Sequence, residues 1–171
     1  MSVVLLKGVN VGKGNRIDSK ELARTASRET GIEFRSLLAS GNLVSQVDVE
    51  KKQLSRVIAQ ALADRGVSVD VIIFDSIDFL QIMEAVSTLT FQDSARALVY
   101  FTNDRVNPEG LATIKSLKTQ EDVVIRMNSI FVDYKEGVSA SKIDTKAIDR
   151  SFGIRSTGRN MNTLLKLRAL S

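Results

Sequence analysis

Apolar residues along the chain fall into short runs whose spacing switches between two and three to four residues. Val3–Lys7 reads as a short buried strand, and Asp18 with Glu21 three positions on resembles a capping box, which predicts a helix to about Arg28 closed by Gly31. Phe34–Leu38 and Asn42–Val47 are two β-rich runs joined by Ala39-Ser40-Gly41, a hairpin turn in which Gly tolerates the positive φ required. Leu54, Val57, Ile58, Ala61 and Leu62 share one helical face ahead of Gly66, and Val67, Val69, Val71 and Ile73 then alternate as a strand. The order is β-α-β-β-α-β, the plan of a ferredoxin-like plait over residues 1–74.

Asp75–Thr90 predicts a connector helix, with Ile77, Leu80 and Met83 three apart, so that residues 75–95 join two subdomains. In 96–171 the plan begins again. Ala97–Phe101 is a strand, Asn107-Pro108 offers an N-cap and first helical residue, and Leu111, Ile114 and Leu117 follow. Asp122–Met127 and Ile130–Tyr134 form a hairpin about Asn128-Ser129. Ile143, Ala147 and Ile148 mark a helix ended by Gly153, and Leu164, Leu167 and Leu170 a last one. The expectation is an α+β chain of two small mixed subdomains. The first is a βαββαβ plait; the second is an altered βαββα plait ending in a C-terminal helix.

Composition narrows the chemistry. The apolar fraction of 43% with 26% charged residues suits a globular chain. Without Cys or His, disulfides, Cys/His nucleophilic catalysis, structural zinc and imidazole acid–base chemistry are excluded. No apolar run reaches the roughly 18 residues of a membrane span, and Met1–Lys7 lacks the pattern of a signal peptide, so the expected location is cytoplasmic with no membrane partner. The net charge of +4 conceals an asymmetry: residues 1–28 carry +4, residues 29–134 carry −5, and residues 135–171 carry +5. Two basic ends suit a phosphate-bearing small molecule or nucleic acid if the fold gathers them, and equally suit solvated surface. With seven Phe, two Tyr and no Trp, stacking platforms for single-stranded nucleic acid are scarce.

Two polar segments could carry chemistry. Lys7-Gly8-Val9-Asn10-Val11-Gly12-Lys13-Gly14-Asn15-Arg16 concentrates three of the ten glycines with three basic residues and no acid, ahead of a helix N-terminus. Its spacing is neither a Walker loop nor a dinucleotide fingerprint, and it fits both an anion-binding loop and a turn whose glycines satisfy backbone geometry. Ser156-Thr157-Gly158-Arg159-Asn160-Met161-Asn162-Thr163 reads as a cap and turn before the last helix, although capping does not require the planar guanidinium of Arg159. Ser139-Ala140-Ser141-Lys142 is a cap or an anion contact, and its Ser-x-x-Lys spacing recurs too freely to mark a nucleophile. No carboxylate pair or calcium-loop spacing points to a general base or a metal, and no cofactor is implied.

Leu5-Leu6-Lys7-Gly8-Val9-Asn10-Val11-Gly12, Ser40-Gly41-Asn42, Ser141-Lys142 and Arg159-Asn160-Met161-Asn162-Thr163, taken in this order, resemble the bacterial family catalogued as domain of unknown function 1697. The resemblance implies two α+β subdomains and supplies no substrate, reaction or cofactor. The family pattern has Arg at Lys7, Gly-Gly at Gly12-Lys13, Gly-Arg-Ser-Lys at Ser139–Lys142 and Trp at Met161, so this chain departs from it at those positions. The candidate ligand-binding set is therefore Lys7, Gly8, Asn10, Gly12, Lys13, Asn15, Arg16, Ser40, Asn42, Ser141, Lys142, Arg159, Asn160, Asn162 and Thr163.

Overall fold

The computed structural model describes residues 1–11 and 15–170, which divide into two compact units, one of Met1–Leu80 with the segment from Lys166 and one of Gln81–Leu165. The first unit runs β1 (Ser2–Leu6), α1 (Ser19–Thr30), β2 (Arg35–Leu37), β3 (Asn42–Ser45), α2 (Lys51–Ala63) and β4 (Val71–Phe74). Its strands form one antiparallel sheet in the order β2-β3-β1-β4, the strand order of a ferredoxin-like plait. Val4, Leu6 and Leu43 meet Leu22, Ala26, Leu54, Ile58 and Leu62 in its core, which lies between the sheet and the two helices. Val3 and Leu5, on the alternate face of β1, are equally buried, which is why that strand is apolar without a break.

Capping fixes the helix boundaries. Asp18 accepts from the backbone N–H of Lys20 (2.8 Å) and Glu21 (3.2 Å), and Gly31, at φ 72°, closes α1 by donating to the Ser27 carbonyl. In α2 a residue the sequence reading did not single out does the same work: Glu50 accepts from Lys52 N and Gln53 N at 2.8 and 2.7 Å. β4 is shorter than expected, because Val67 and Val69 pack against the core without joining the strand.

After α3 (Ser76–Ser87), the second unit runs β5 (Ala97–Thr102), α4 (Gly110–Ser116), β6 (Asp122–Arg126), β7 (Ser129–Asp133), α5 (Thr145–Phe152) and β8 (Ser156–Asn160), with α6 (Met161–Ala169) following. Its antiparallel sheet has the order β6-β7-β5-β8, so the two units share one topology. The expected mixed α+β chain of two plait-like subdomains is thus the observed fold. One detail differs: the second plait is completed by β8, which pairs with β5 from Leu98↔Asn160 to Thr102↔Ser156. Ser-Thr-Gly-Arg-Asn contains no large apolar residue, so period-two hydrophobicity could not reveal this strand.

Two further boundaries move. The β6–β7 turn is Met127-Asn128, with φ of 48° and 55°, rather than Asn128-Ser129. Asn128 holds it by accepting from Val106 N at 2.9 Å and donating to the Asp104 carbonyl at 2.9 Å. α4 begins at Gly110, two residues after the expected first helical residue Pro108, although Asn107 does accept from Glu109 N at 3.1 Å. The second core gathers Tyr100, Ile114, Ile130, Val132, Tyr134, Ile143, Ile148 and Phe152. Inside it the Tyr134 hydroxyl donates to the Ile143 carbonyl (2.6 Å), so Tyr100 donates to Tyr134 (2.6 Å).

Candidate functional site

In the first unit the fold brings the β1–α1 loop against the hairpin turn. Gly8, Asn10 and Asn15 adopt φ of 64°, 57° and 47°, folding the loop back so that Asn10 N donates to the Asn15 carbonyl at 3.1 Å. The Asn10 side chain then acts as a clamp. Its Nδ2 donates to the carbonyls of Ile17 (2.8 Å) and Ala39 (2.7 Å), and its Oδ1 accepts from Ile17 N (2.9 Å). The opposing turn is shaped to receive the loop: at Gly41, φ 73°, an added Cβ would lie 2.5 Å from Val9 Cγ2 and 2.8 Å from Leu6 Cβ. Leu6 N donates to the Gly41 carbonyl at 2.9 Å, and Lys7 N to that of Asp70 at 3.0 Å.

Of the sequence-derived candidates here, Lys7 is half-buried while Gly8, Asn15, Arg16 and Ser40 are exposed. Asn42 is fully buried, its Nδ2 donating to the Leu37 carbonyl (2.8 Å) and Ser40 Oγ (2.9 Å), so this side chain is committed to shaping the turn. Gly12 and Lys13 lie outside the described residues. Beside the clamp opens a cavity of about 490 Å³ lined by Ile17, Asp18, Ser19, Lys20, Ser36, Leu38 and Ala39. Two of these residues, Ile17 and Ala39, are the ones Asn10 grips.

Most of that lining escaped the sequence reading. Asp18 was legible as a cap, but Ser19, Ser36 and Leu38 carry no motif. Leu38 sits at φ 62° and is 51% exposed, a left-handed apolar residue that only the folded backbone reveals. The backbone N–H groups of Glu21 and Lys20 hold the Asp18 carboxyl below its usual pKa, so it is ionised at neutral pH.

The candidates of the second unit occupy two places. Ser141 and Lys142 line a cavity of about 300 Å³ with Lys118, Glu121 and Lys135. Ser141 Oγ accepts from Ile143 N at 3.0 Å, and in the same lining Glu121 Oε2 is buried with no hydrogen-bond partner among the described residues. Burial raises the Glu121 pKa, but the nearby Ser141 and Thr119 hydroxyls together with the backbone N–H groups of Glu121 and Gln120 leave a net lowering. Arg159 lies in β8 and is only 7% exposed, its Nη1 donating to Thr157 Oγ1 (2.8 Å) and the Gly158 carbonyl (2.9 Å). Burial pushes its guanidinium down to about 10. Asn160 caps α6 by accepting from Thr163 N (2.9 Å) and Thr163 Oγ1 (2.8 Å), and Asn162 Oδ1 accepts from Ser94 Oγ at 2.8 Å. Asn160, Asn162 and Thr163 thus form structural hydrogen bonds within the second unit.

The clamp joins Asn10 to the turn before Ser40-Gly41-Asn42, two segments quoted above for their family likeness, and residues 1–131 match the family described as protein of unknown function, DUF1697. The chain belongs to the DUF1697 family. No curated protein matches it. A solved structure described as a conserved bacterial protein from Streptococcus pneumoniae is similar at 22% identity, with a TM-score of 0.70 over 99% of this chain and 97% of that one. At that identity the likeness carries the fold. Among the described residues of this DUF1697 chain no carboxylates cluster as metal ligands, and no helix is long and apolar enough to cross a membrane.

Proposed function

We propose that this chain binds a phosphate-bearing small molecule at the β1–α1 loop of its first unit. The observation that carries the reading is the Asn10 clamp, whose side chain bonds Ile17 and Ala39, two residues of a cavity wall. A loop fixed before its ligand arrives loses less conformational entropy on binding, and clustered cations with exposed backbone N–H groups suit phosphate oxygens. Lys7 and Arg16, at the two described ends of the loop, supply positive charge.

Calorimetric titration with inorganic phosphate, nucleoside monophosphates and a short oligonucleotide, at low and high salt, tests this. Binding of the small phosphates is expected, weakening as salt rises, with Arg16→Gln lowering affinity about tenfold, the worth of one charge-assisted hydrogen bond. Absence of binding at low salt would remove the reading, and an oligonucleotide bound far more tightly than any monophosphate would move it to nucleic acid. For Asn42 and Asn160 a structural role is favoured directly by their hydrogen bonds inside the fold.

A further inference from the structure

We infer that the open edge of β6 docks a second copy of this chain. The two β6 strands pair antiparallel about Val124 and join their sheets into one, with Asp122 of each copy facing the partner's Arg126. The inference is independent of the phosphate reading and concerns the second unit alone.

The backbone decides which groups the edge offers. β6 ends its sheet and pairs with β7 alone, from Asp122↔Asp133 to Arg126↔Ser129. A two-residue turn with both residues left-handed is closed by a pair that exchanges N–H···O bonds in both directions, here Arg126 and Ser129. Alternation then gives Val124 and Asp122 to β7 as well, and turns the N–H and C=O groups of Val123 and Ile125 away from the sheet. Two contacts agree. Tyr134 N donates to the Arg96 carbonyl, so even-numbered residues of β7 bond toward β5 and odd-numbered ones toward β6. The Ile125 carbonyl accepts from Arg126 Nη1 at 2.8 Å, a bond made on the open side of the strand.

The residues of β6 set the partner and the register. Edge strands are ordinarily guarded by brevity, proline, bulges or charges in mid-strand. Asp-Val-Val-Ile-Arg has three consecutive β-branched residues and carries its charges only at the ends. Set antiparallel to a second copy with Val124 opposite Val124, it is self-complementary. Val123 faces the partner's Ile125 on both sides of the axis, each pair exchanging N–H···O bonds, and Asp122 meets the partner's Arg126 at both ends. Those charges fall in the closer, non-hydrogen-bonded pairs, where opposite signs stabilise. Both side chains are exposed, Asp122 at 75%, and Lys135 engages Asp122 through Oδ2. Val123 and Ile125 pack against the second core, so Asp122, Val124 and Arg126 share the other face. A slip of two residues would set a charge against Val124. The other edges lack this complementarity: β2 has three residues, β4 has no charge and β8 carries arginine alone.

Sedimentation velocity over a concentration series, with amide hydrogen exchange, tests the pairing. The protein is expected to pass from monomer to dimer as concentration rises, with exchange in β6 slowing at Val123 and Ile125. Asp122→Arg and Arg126→Asp each put like charges opposite one another in a homodimer, and each is expected to raise the dimer dissociation constant about tenfold or more. Mixed in equal amounts, the two variants are complementary again and are expected to form a heterodimer. A protein that stays monomeric at every concentration would overturn the inference, as would a dimer that either variant leaves intact. Variants that are folded by circular dichroism but stay monomeric when mixed would overturn the register and the inference with it. Should a variant misfold, exchange in the unaltered protein decides: slowing with concentration anywhere but at Val123 and Ile125 of β6 counts against the pairing.

Discussion

At the scale of single residues, the β1–α1 loop and the hairpin turn depend on a few atoms that no other residue type could replace. Gly41 has both a left-handed backbone and no room for a methyl group between Leu6 and Val9. Gly41→Ala is therefore expected to cost roughly 1–3 kcal/mol through overpacking and about 1 kcal/mol more through its backbone. Urea denaturation would show this as a lowered midpoint at unchanged slope; an unchanged midpoint would mean the loop does not press on the turn. Asn10 is the counterpart, since it tolerates φ 57° and supplies both donors and an acceptor from one short side chain.

Elements were legible in the sequence where apolar spacing met a cap, as in α1, where Asp18 opens and Gly31 closes the helix. They were illegible where tertiary pairing substituted for propensity. β8 has no apolar period because its side chains are small or polar and its place comes from ladder bonds to β5. The candidate site divides in the same way: its glycines, Asn10 and basic residues stood out as a composition anomaly, whereas Ser19, Ser36 and Leu38 gained meaning only when the hairpin closed over the loop. The α1, α2 and α3 starts make a further point. Asp18, Glu50 and Asp75 each accept backbone N–H groups there, and Asp48 accepts from the Ser76 hydroxyl and N–H. Their carboxyls are all held below the usual range, chiefly by Glu21 N–H, Lys52 N–H, Asp78 N–H and the Ser76 hydroxyl respectively. Folded carboxyls that hold their protons less readily than unfolded ones stabilise the fold fully above the ordinary carboxylate pKa, near pH 4, and stop doing so as pH falls through their lowered values. Thermal melts followed by circular dichroism should thus show a midpoint that falls on acidification from about pH 5 to about pH 2. A midpoint flat across that window would refute the role of these caps.

For the molecule as a whole, the two tyrosines provide a reporter. The chain has only Tyr100 and Tyr134, both fully buried and bonded to each other in the second core. Burial raises both hydroxyl pKa values, for Tyr134 further still through Tyr100 beside it. A raised folded pKa gives stability that is complete below about pH 10, where free tyrosine ionises, and is lost above it. In alkaline titration the native protein should show no phenolate absorbance until it unfolds, and then gain both tyrosines in one step. Gradual phenolate absorbance in a folded protein would mean the second core admits water.

The segment 166–170 belongs to the first unit although the rest of that unit ends at Leu80, and Leu170 lies in a hollow with Ile32, Arg35 and Val44. On the ribosome, the core of the first unit, drawn from residues 4–73, is complete long before that segment is made. What a nascent chain lacks until then is the cover that Leu170 gives Ile32, Arg35 and Val44, so stop codons placed before residue 166 should yield a product whose first unit still folds but melts at a lower temperature.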